Sequence, residues 1–412
     1  GDRISILSLE QTLEADAGLA DLEVRLPPPY ENANWPQAGG VPSHALYHLE
    51  LGDDLEEAWR VSIGDGSDDE NRMFSSPVIA NGKVYAMDSS AEVTAYSAED
   101  GKELWAVNLT PEDEDEGNIG GGLSFEYGRV FATTSYGDIV ALDGESGETV
   151  WKTGLGVPLR AAPTIAEGQI FVITFDSRIF ALDATTGEIN WNFEGGIETT
   201  GLLGAASPAY DNGTVVVPFA SGELYAFRAA NGQQAWSDQL VRRRLYSSLT
   251  SLTDINAFPV IDRGVVYAAS YSGRMIAVDL RTGNRLWDQE ISTLQTPWIA
   301  GDFLFVVSTD GDLVCMSRRN GLIRWVRPLG KYEDPEDKRD LIIWTGPILA
   351  SDRLILVSNY GLAVSVSPYN GEVLGRMELS DPASIPPVVA GNTLYILTDD
   401  ADLVALRAAS KE

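Results

Sequence analysis

Residues 181–191 read Ala-Leu-Asp-Ala-Thr-Thr-Gly-Glu-Ile-Asn-Trp. Leu182 ends a strand, and Asp183 is placed to accept hydrogen bonds from the amides that follow it, as Asp does in turns. Thr186-Gly187 closes a hairpin, where glycine takes positive φ without a Cβ clash. Trp191 falls on the return strand, and its broad apolar ring suits a seam between packed sheets. Residues 95–105, 141–151, 226–236 and 277–287 repeat the pattern, with Gly four residues before Trp each time. Residues 315–325 keep Gly321 and Trp325 but carry Ser317 in the Asp position; residues 365–375 keep Gly371 and lose the Trp.

Around each Gly-Trp hairpin lies the same larger unit. In the third it comprises Pro163-Thr164-Ile165-Ala166, a turn at Gly168, residues 170–174, a turn at Asp176-Ser177, residues 179–183, Gly187 and Trp191. Alternation and β-branched or aromatic enrichment mark these runs as strands. Four antiparallel strands per unit make a propeller blade. Leading residues Pro77, Ser124, Pro163, Pro208, Pro259, Pro297, Pro347 and Pro387 count eight units. The last stops at 403–407 without a fourth strand, and residues 57–63, with Trp59, form a strand with no earlier partner. The sequence therefore predicts an all-β, eight-bladed propeller of four-stranded antiparallel blades, its ring closed by that N-terminal strand. The domain reading is a tail or linker over 1–34, with weak helical spacing at 6–19 and a path along the body, then the propeller over 35–412. Pro218 inside a strand pattern predicts a bulge there.

The periodicity overrides the several-domain expectation that 412 residues would otherwise raise. A formal net charge of −32 excludes nucleic acid as a partner, because that binding needs cationic side chains. Cys315 is the only cysteine, so no internal disulfide forms, and a buried apolar role is expected. No run is long enough to span a membrane. The start at Gly1 reads as a mature chain with any targeting segment removed.

In such blades the second-to-third-strand turns and the blade-to-blade crossings share one face. The crossings at 108–122, 193–207, 237–258 and 327–346 are long, and long loops on a rigid scaffold are where binding residues sit. Two of them offer apolar anchors beside polar groups, in Leu202 and Leu203 and in Arg242, Arg243, Arg244, Asp254 and Asn256.

The Ala-x-Asp-x-x-Thr-Gly-x-x-x-Trp repeat resembles the pyrroloquinoline-quinone-like propeller repeat over nearly all of 35–407. With eight blades and the Trp35-Pro36-Gln37 entry, the chain is most similar to the lipoprotein family of the outer-membrane β-barrel assembly (BAM) machine. That resemblance implies a monomeric, non-catalytic scaffold without cofactor or metal, on the periplasmic face of the outer membrane. It implies a lipid anchor upstream of Gly1, docking on the periplasmic POTRA domains of the barrel-inserting subunit BamA, and unfolded outer-membrane proteins as a second class of partner. The family's Asp-x-Asp-x-x-Pro segment is matched by Asp254-Ile255-Asn256-Ala257-Phe258-Pro259, with Asn256 for the second Asp. Its Leu-x-Leu-Arg segment is met by 200–203, where Leu202 matches, Thr200 replaces a Leu and Leu203 replaces the Arg. Arg242–Arg244 offer substitute cations.

The alternative is a pyrroloquinoline-quinone-dependent dehydrogenase. Many alcohol-oxidising members need adjacent cysteines, which a lone Cys315 excludes, and the acidic residues follow no EF-hand pattern. His44 and His48 read as surface or turn residues. Residues 112–116 read as a solvated acidic loop. Trp344 lies outside the repeat and is a candidate for the channel lip.

Overall fold

A computed structural model describes residues 13–67, 73, 75–114, 117, 120–159, 161–195, 206–219, 222–240, 257–270 and 273–409. Eight four-stranded antiparallel sheets follow one another around an axis. Blades 1 to 7 span 78–108, 122–154, 164–194, 209–239, 260–289, 298–328 and 344–378. Blade 8 combines Val388–Ala390, Thr393–Leu397 and Asp402–Ala408 with Leu55–Ser62. Trp59 pairs with Ala405 and Ser62 with Asp402, so the N-terminal strand closes the ring as the sequence predicts.

The Gly-Trp hairpin explains how neighbouring blades lock. Asp183 Oδ1 accepts the Thr185 and Thr186 amides at 2.7 and 2.9 Å, and Gly187 turns at φ 75°. Trp191 meets the equivalent turn of the next blade. Its indole N–H donates to Ala229 O at 2.7 Å, and its ring lies where a Cβ on Gly232 would stand, 2.6 Å away. The same bond runs from Trp59 to Ala98, Trp105 to Gly144, Trp151 to Ala184, Trp236 to Leu280, Trp287 to Arg318 and Trp325 to Pro368, at 2.7–3.3 Å. In every case the acceptor lies three residues before the turn glycine. The Trp and Gly of one repeat therefore serve two different seams.

One seam departs from this rule. Blade 7 carries Gly375 in the Trp position, and blade 8 has no hairpin there, because its third and fourth strands come from opposite ends of the chain. Indole and receiving turn are lost together.

Each third-to-fourth-strand pair of blades 1 to 7 shifts register just before the Trp position, as at Ala181↔Trp191 followed by Leu182↔Ile189. The extra residue is a bulge, which adds local twist. Leu104, Val150, Leu286 and Leu374 occupy it and are correspondingly exposed. The bulge expected at Pro218 is absent: Pro218 pairs with Leu224 in regular register. It is the last residue of Thr214–Pro218, where a missing N–H interrupts nothing.

The N-terminal segment builds a second closure. Moving from residue 32 to 49, it bonds to blades 8, 1, 2, 3, 4, 5, 6 and 7 in ring order. Asn32 meets Val389 and Gly391, and Trp35 exchanges two bonds with Ile79. The Phe125 amide donates to Pro36 O, and the Gln37 side chain exchanges two bonds with Ile165. Tyr210 donates to Pro42 O, Ile261 to Ser43 O and the Trp298 indole to Tyr47 O; Leu49 bonds Leu349 and Ser351. The innermost strand of a blade is a sheet edge with free amides and carbonyls. This hoop satisfies them at the face of the first-to-second-strand turns. Trp35 is held at blade 1, yet its ring stacks on Trp298 of blade 6 at 6.4 Å, so the indole reaches across the axis. Ahead of the hoop, Asp16 exchanges two bonds with Ile323, Leu22 O accepts Arg324 Nε, and Val24 is buried. Within the described part of 6–19 the only helical turn is the 3₁₀ segment Ala17–Leu19.

His44 and His48 are buried in this hoop, at 4% and 1% exposure, which corrects the surface reading. Their spacing reflects two turns of an irregular path, with no helix between them.

Two outcomes follow. Trp191→Ala should cost about 3–5 kcal/mol in urea denaturation, as large-to-small changes at buried aromatics do. Gly232→Ala should cost more than about 1 kcal/mol, since its φ is positive and its methyl meets the indole. The double variant should lose less than the sum, because removing the indole relieves the clash; strict additivity would place the two in separate seams. Deleting 1–52 keeps the closing strand but removes buried Trp35, Leu46, Leu49 and Leu51. At roughly 1.5–3 kcal/mol per buried side chain it should destabilise by about 6 kcal/mol or more, whereas deleting 1–29 should cost much less. Equal melting temperatures for the two truncations would show that the hoop merely lies on the ring.

Candidate partner-binding face

The face opposite the hoop is built by the crossings. Six of them leave their blades the same way: Leu109 donates to Ala91 O, Leu155 to Gly137 O, Gly195 to Ser177 O, Leu240 to Gly222 O, Leu329 to Gly311 O and Leu379 to Gly361 O. These bonds join the start of a crossing to the second-to-third-strand turn beside it, so both lie on one face. Turn-capping side chains set the turns. Thr174 Oγ1 accepts the Arg178 amide, Ser308 Oγ accepts Asp310 and Asp312, and Asp88 accepts Ser90 and Glu92. Burial raises the Asp88 pKa, and the amides of Asp65, Glu92 and Ser90 oppose that shift.

Leu202 and Leu203 fall in 196–205, and Arg242, Arg243, Arg244, Asp254 and Asn256 in 241–256. Both stretches lie outside the described residues. Their anchors are described. On the blade 3 to 4 crossing, Ser207 Oγ donates to Ala162 O, and Phe193 packs against Phe227 at 4.8 Å. On the blade 4 to 5 crossing, Leu240 and Ala257 are buried and the Phe258 amide donates to Thr296 Oγ1. The two crossings thus start and end on adjacent blades, on one face, with rigid ends.

The rest of this face is uneven. Glu112, Asp113 and Glu114 are exposed on the blade 1 to 2 crossing, and residues 115–116 lie outside the described residues. The blade 6 to 7 crossing carries a short hairpin, Tyr332–Asp334 with Arg339–Leu341, that its length alone did not reveal. Asn359 holds the hairpin base, accepting the Ile343 amide and donating to Leu341 O. Trp344 is buried at that base and donates to Gly330 O at 2.9 Å, so it is not a lip contact. Phe175 and Tyr360 are the large exposed aromatics in the described turns of this face. Their turns were legible in the sequence, but nothing in the pattern marked their side chains as outward.

Among the described residues, no three His, Cys, Asp or Glu side chains gather as a metal site. Cys315 is fully buried in a third strand, and burial pushes its thiol pKa well up. No helix among the described residues is long and apolar enough to cross a membrane.

Comparison with known proteins adds sequence relations to this geometry. The model of a family described as outer membrane protein assembly factor BamB matches residues 89–327, more than half of the chain, all of blades 2 to 5 and blade 6 up to its penultimate residue. A protein of that name from Alkalilimnicola ehrlichii is 31% identical over 207 residues, covering 50% of this chain and 52% of the relative. One from Escherichia coli is 24% identical over 208 residues, covering 50% of each. The chain spans about half the length of the curated relatives it matches. The crystal structure of BamB from Moraxella catarrhalis superposes with a TM-score of 0.71 at 23% identity, covering 86% of this chain and 99% of that one. A quinohemoprotein alcohol dehydrogenase from Comamonas testosteroni gives 0.72 at 12% identity, covering 92% and 81%. At those identities the structures speak for the fold alone, and they share it across unrelated activities.

Proposed function

Because the chain belongs to the outer membrane protein assembly factor BamB family, we propose that it is a non-catalytic scaffold subunit of the BAM machine. In this reading it works at the periplasmic face of the outer membrane, held there by a lipid anchor on residues preceding Gly1. It docks on the POTRA domains of BamA, with unfolded outer-membrane proteins as a further class of partner. The observation that carries the reading is the family match over 89–327, which includes both crossings on which the candidate contacts sit. The geometry supports it in a second way. The hoop occupies one face, and the described ends of the longest crossings lie on the other, where long loops on a fixed scaffold suit a partner. Leu202 and Leu203 are the apolar anchors; Arg242, Arg243, Arg244, Asp254 and Asn256 supply the surrounding polar contacts.

The quinoprotein reading has the fold likeness in its favour, and the same experiment addresses it. Calorimetry against the periplasmic domains of BamA should show binding, while a parallel titration with pyrroloquinoline quinone and Ca²⁺ should show none. Leu203→Glu should weaken capture at least about 10-fold, about 1.4 kcal/mol, by placing a charge against an apolar pocket. Asp254→Ala should cost roughly 1–3 kcal/mol by leaving partner donors unpaired. Asp176→Ala is the control, since that carboxylate is occupied by Thr174 and Arg178 within its own turn. All three should melt near wild type. Unchanged affinity in both crossing variants would move the site to the crossings at 109–121 or 329–343, and quinone binding without capture would reverse the assignment.

A further inference from the structure

The chain has two histidines, and both lie in the hoop. Each donates Nδ1–H to a proline carbonyl at 2.7 Å, His44 to Pro259 and His48 to Pro27. Since a carbonyl only accepts, Nδ1 carries the proton in both rings. The second nitrogens differ. His48 Nε2 accepts the Asp352 amide at 2.9 Å, and the Asp352 carboxylate lies 3.7 Å from it. A proton added there meets a negative charge. His44 Nε2 is buried with no hydrogen-bond partner. Its ring packs on Phe258 at 5.2 Å and on Gly39, where a Cβ would come 2.4 Å from Cδ2. A proton added there would place an uncompensated charge inside the hoop.

We propose that the hoop is an acid-released latch and that His44 is its trigger: protonating His44 Nε2 expels that side chain and frees residues 32–49 from the inner strands. Among the described residues, the charged side chains on the elements packed around this part of the hoop are Asp211 on blade 4, Asp262 and Arg263 on blade 5, and Asp302 and Arg318 on blade 6. Asp262 is already held by Arg318 at 2.6 Å and by the Tyr47 hydroxyl at 2.5 Å. None of them counters the cost. Burial takes the His44 pKa down to about 4, against the weaker opposing pull of the Pro259 carbonyl. The released hoop regains an ordinary imidazole, near 6.5. The released form therefore binds the proton more readily. The latch is fully favoured above pH 6.5 and weakens as pH falls from there to about 4. At pH 4.5 linkage gives an opening equilibrium about 60-fold larger than at pH 7. The Trp–Gly seams contain no histidine, so the blades stay locked while the hoop lifts.

Hydrogen exchange on the full chain tests this, with rates corrected for the intrinsic pH dependence. The Phe125, Tyr210 and Ile261 amides donate into the hoop, while Gly187 and Gly232 donate within the blade turns as internal controls. From pH 7 to 4.5 the hoop amides should lose about 60-fold more protection than the controls. His44→Gln, which stays neutral, should remove that difference, and His48→Gln should retain it. Equal loss at hoop and control amides, or the same hoop opening in His44→Gln, would overturn the proposal. If His44→Gln fails to fold, the His44 ring of the wild-type chain is titrated by NMR. A midpoint near 6.5 without hoop opening counts against the latch, and a depressed midpoint coinciding with hoop exchange supports it.

Discussion

The indole N–H of each repeat tryptophan donating to the carbonyl three residues before the next blade's turn glycine is the contact on which this ring depends. It imposes two demands at once. The tryptophan needs a neighbour with no Cβ, and the glycine needs a left-handed turn, which in six of the seven cases follows an Asp or Ser four residues earlier. Six of the seven indoles also lean on an aromatic of their own blade's second strand, at 5.9–6.1 Å. Each seam is thus a wedge between one blade's core and the next blade's turn. A bulge directly before the wedge re-aims the strand, which explains why the spacing from Gly to Trp does not drift.

Seams fix blades pairwise, but they lie toward the outer strands and leave the axis unfilled. The hoop solves the inner problem differently. It is not a strand of any sheet. It makes one or two hydrogen bonds with each blade and sends the Trp35 ring toward the centre. The two chain-end devices are consecutive, since the hoop ends at residue 49 and the closing strand begins at Leu55. Arg353 bridges the gap by donating to Leu51 O and Gly52 O. Blade 7, which has no tryptophan to offer blade 8, is thereby tied to the segment that leads into blade 8's outer strand.

The ring was readable because its rule is local and repeated. Gly187 and Trp191 predict a hairpin, six further variants predict a cycle, and an unpaired Trp59 predicts its closure. The hoop was not readable for the opposite reason. Trp35, Pro36, Gln37, Pro42 and Ser43 bond mainly through backbone atoms to five separate blades, so their side chains follow no period. His44 and His48 read as surface or turn residues because no local pattern marks them as buried, and their burial arises from blades 5 and 7, hundreds of residues away. Trp344 looked axial because the hairpin that covers it is set by Asn359, beyond the crossing itself. The candidate contacts Leu202, Leu203 and Asp254 rest on crossing length and family resemblance, and the fold supplies the rigid ends of those crossings.

The hoop has a consequence for how the chain is made. Synthesis runs from the N-terminus, so residues 32–62 are among the first to exist and the last to find their partners. Asn32 waits for Val389 and Gly391, and Trp59 waits for Ala405. Intermediate blades have neighbours as soon as two have emerged, and they are free to assemble in order along the growing polypeptide. The final blade and the first fifty residues have no such freedom. A nascent chain lacking its last twenty-five residues carries every repeat seam formed between consecutive blades, yet its hoop has only part of its track to lie on. Completion is therefore a single late event that waits for residues 388–408, which separates the birth of the blades from the birth of the ring.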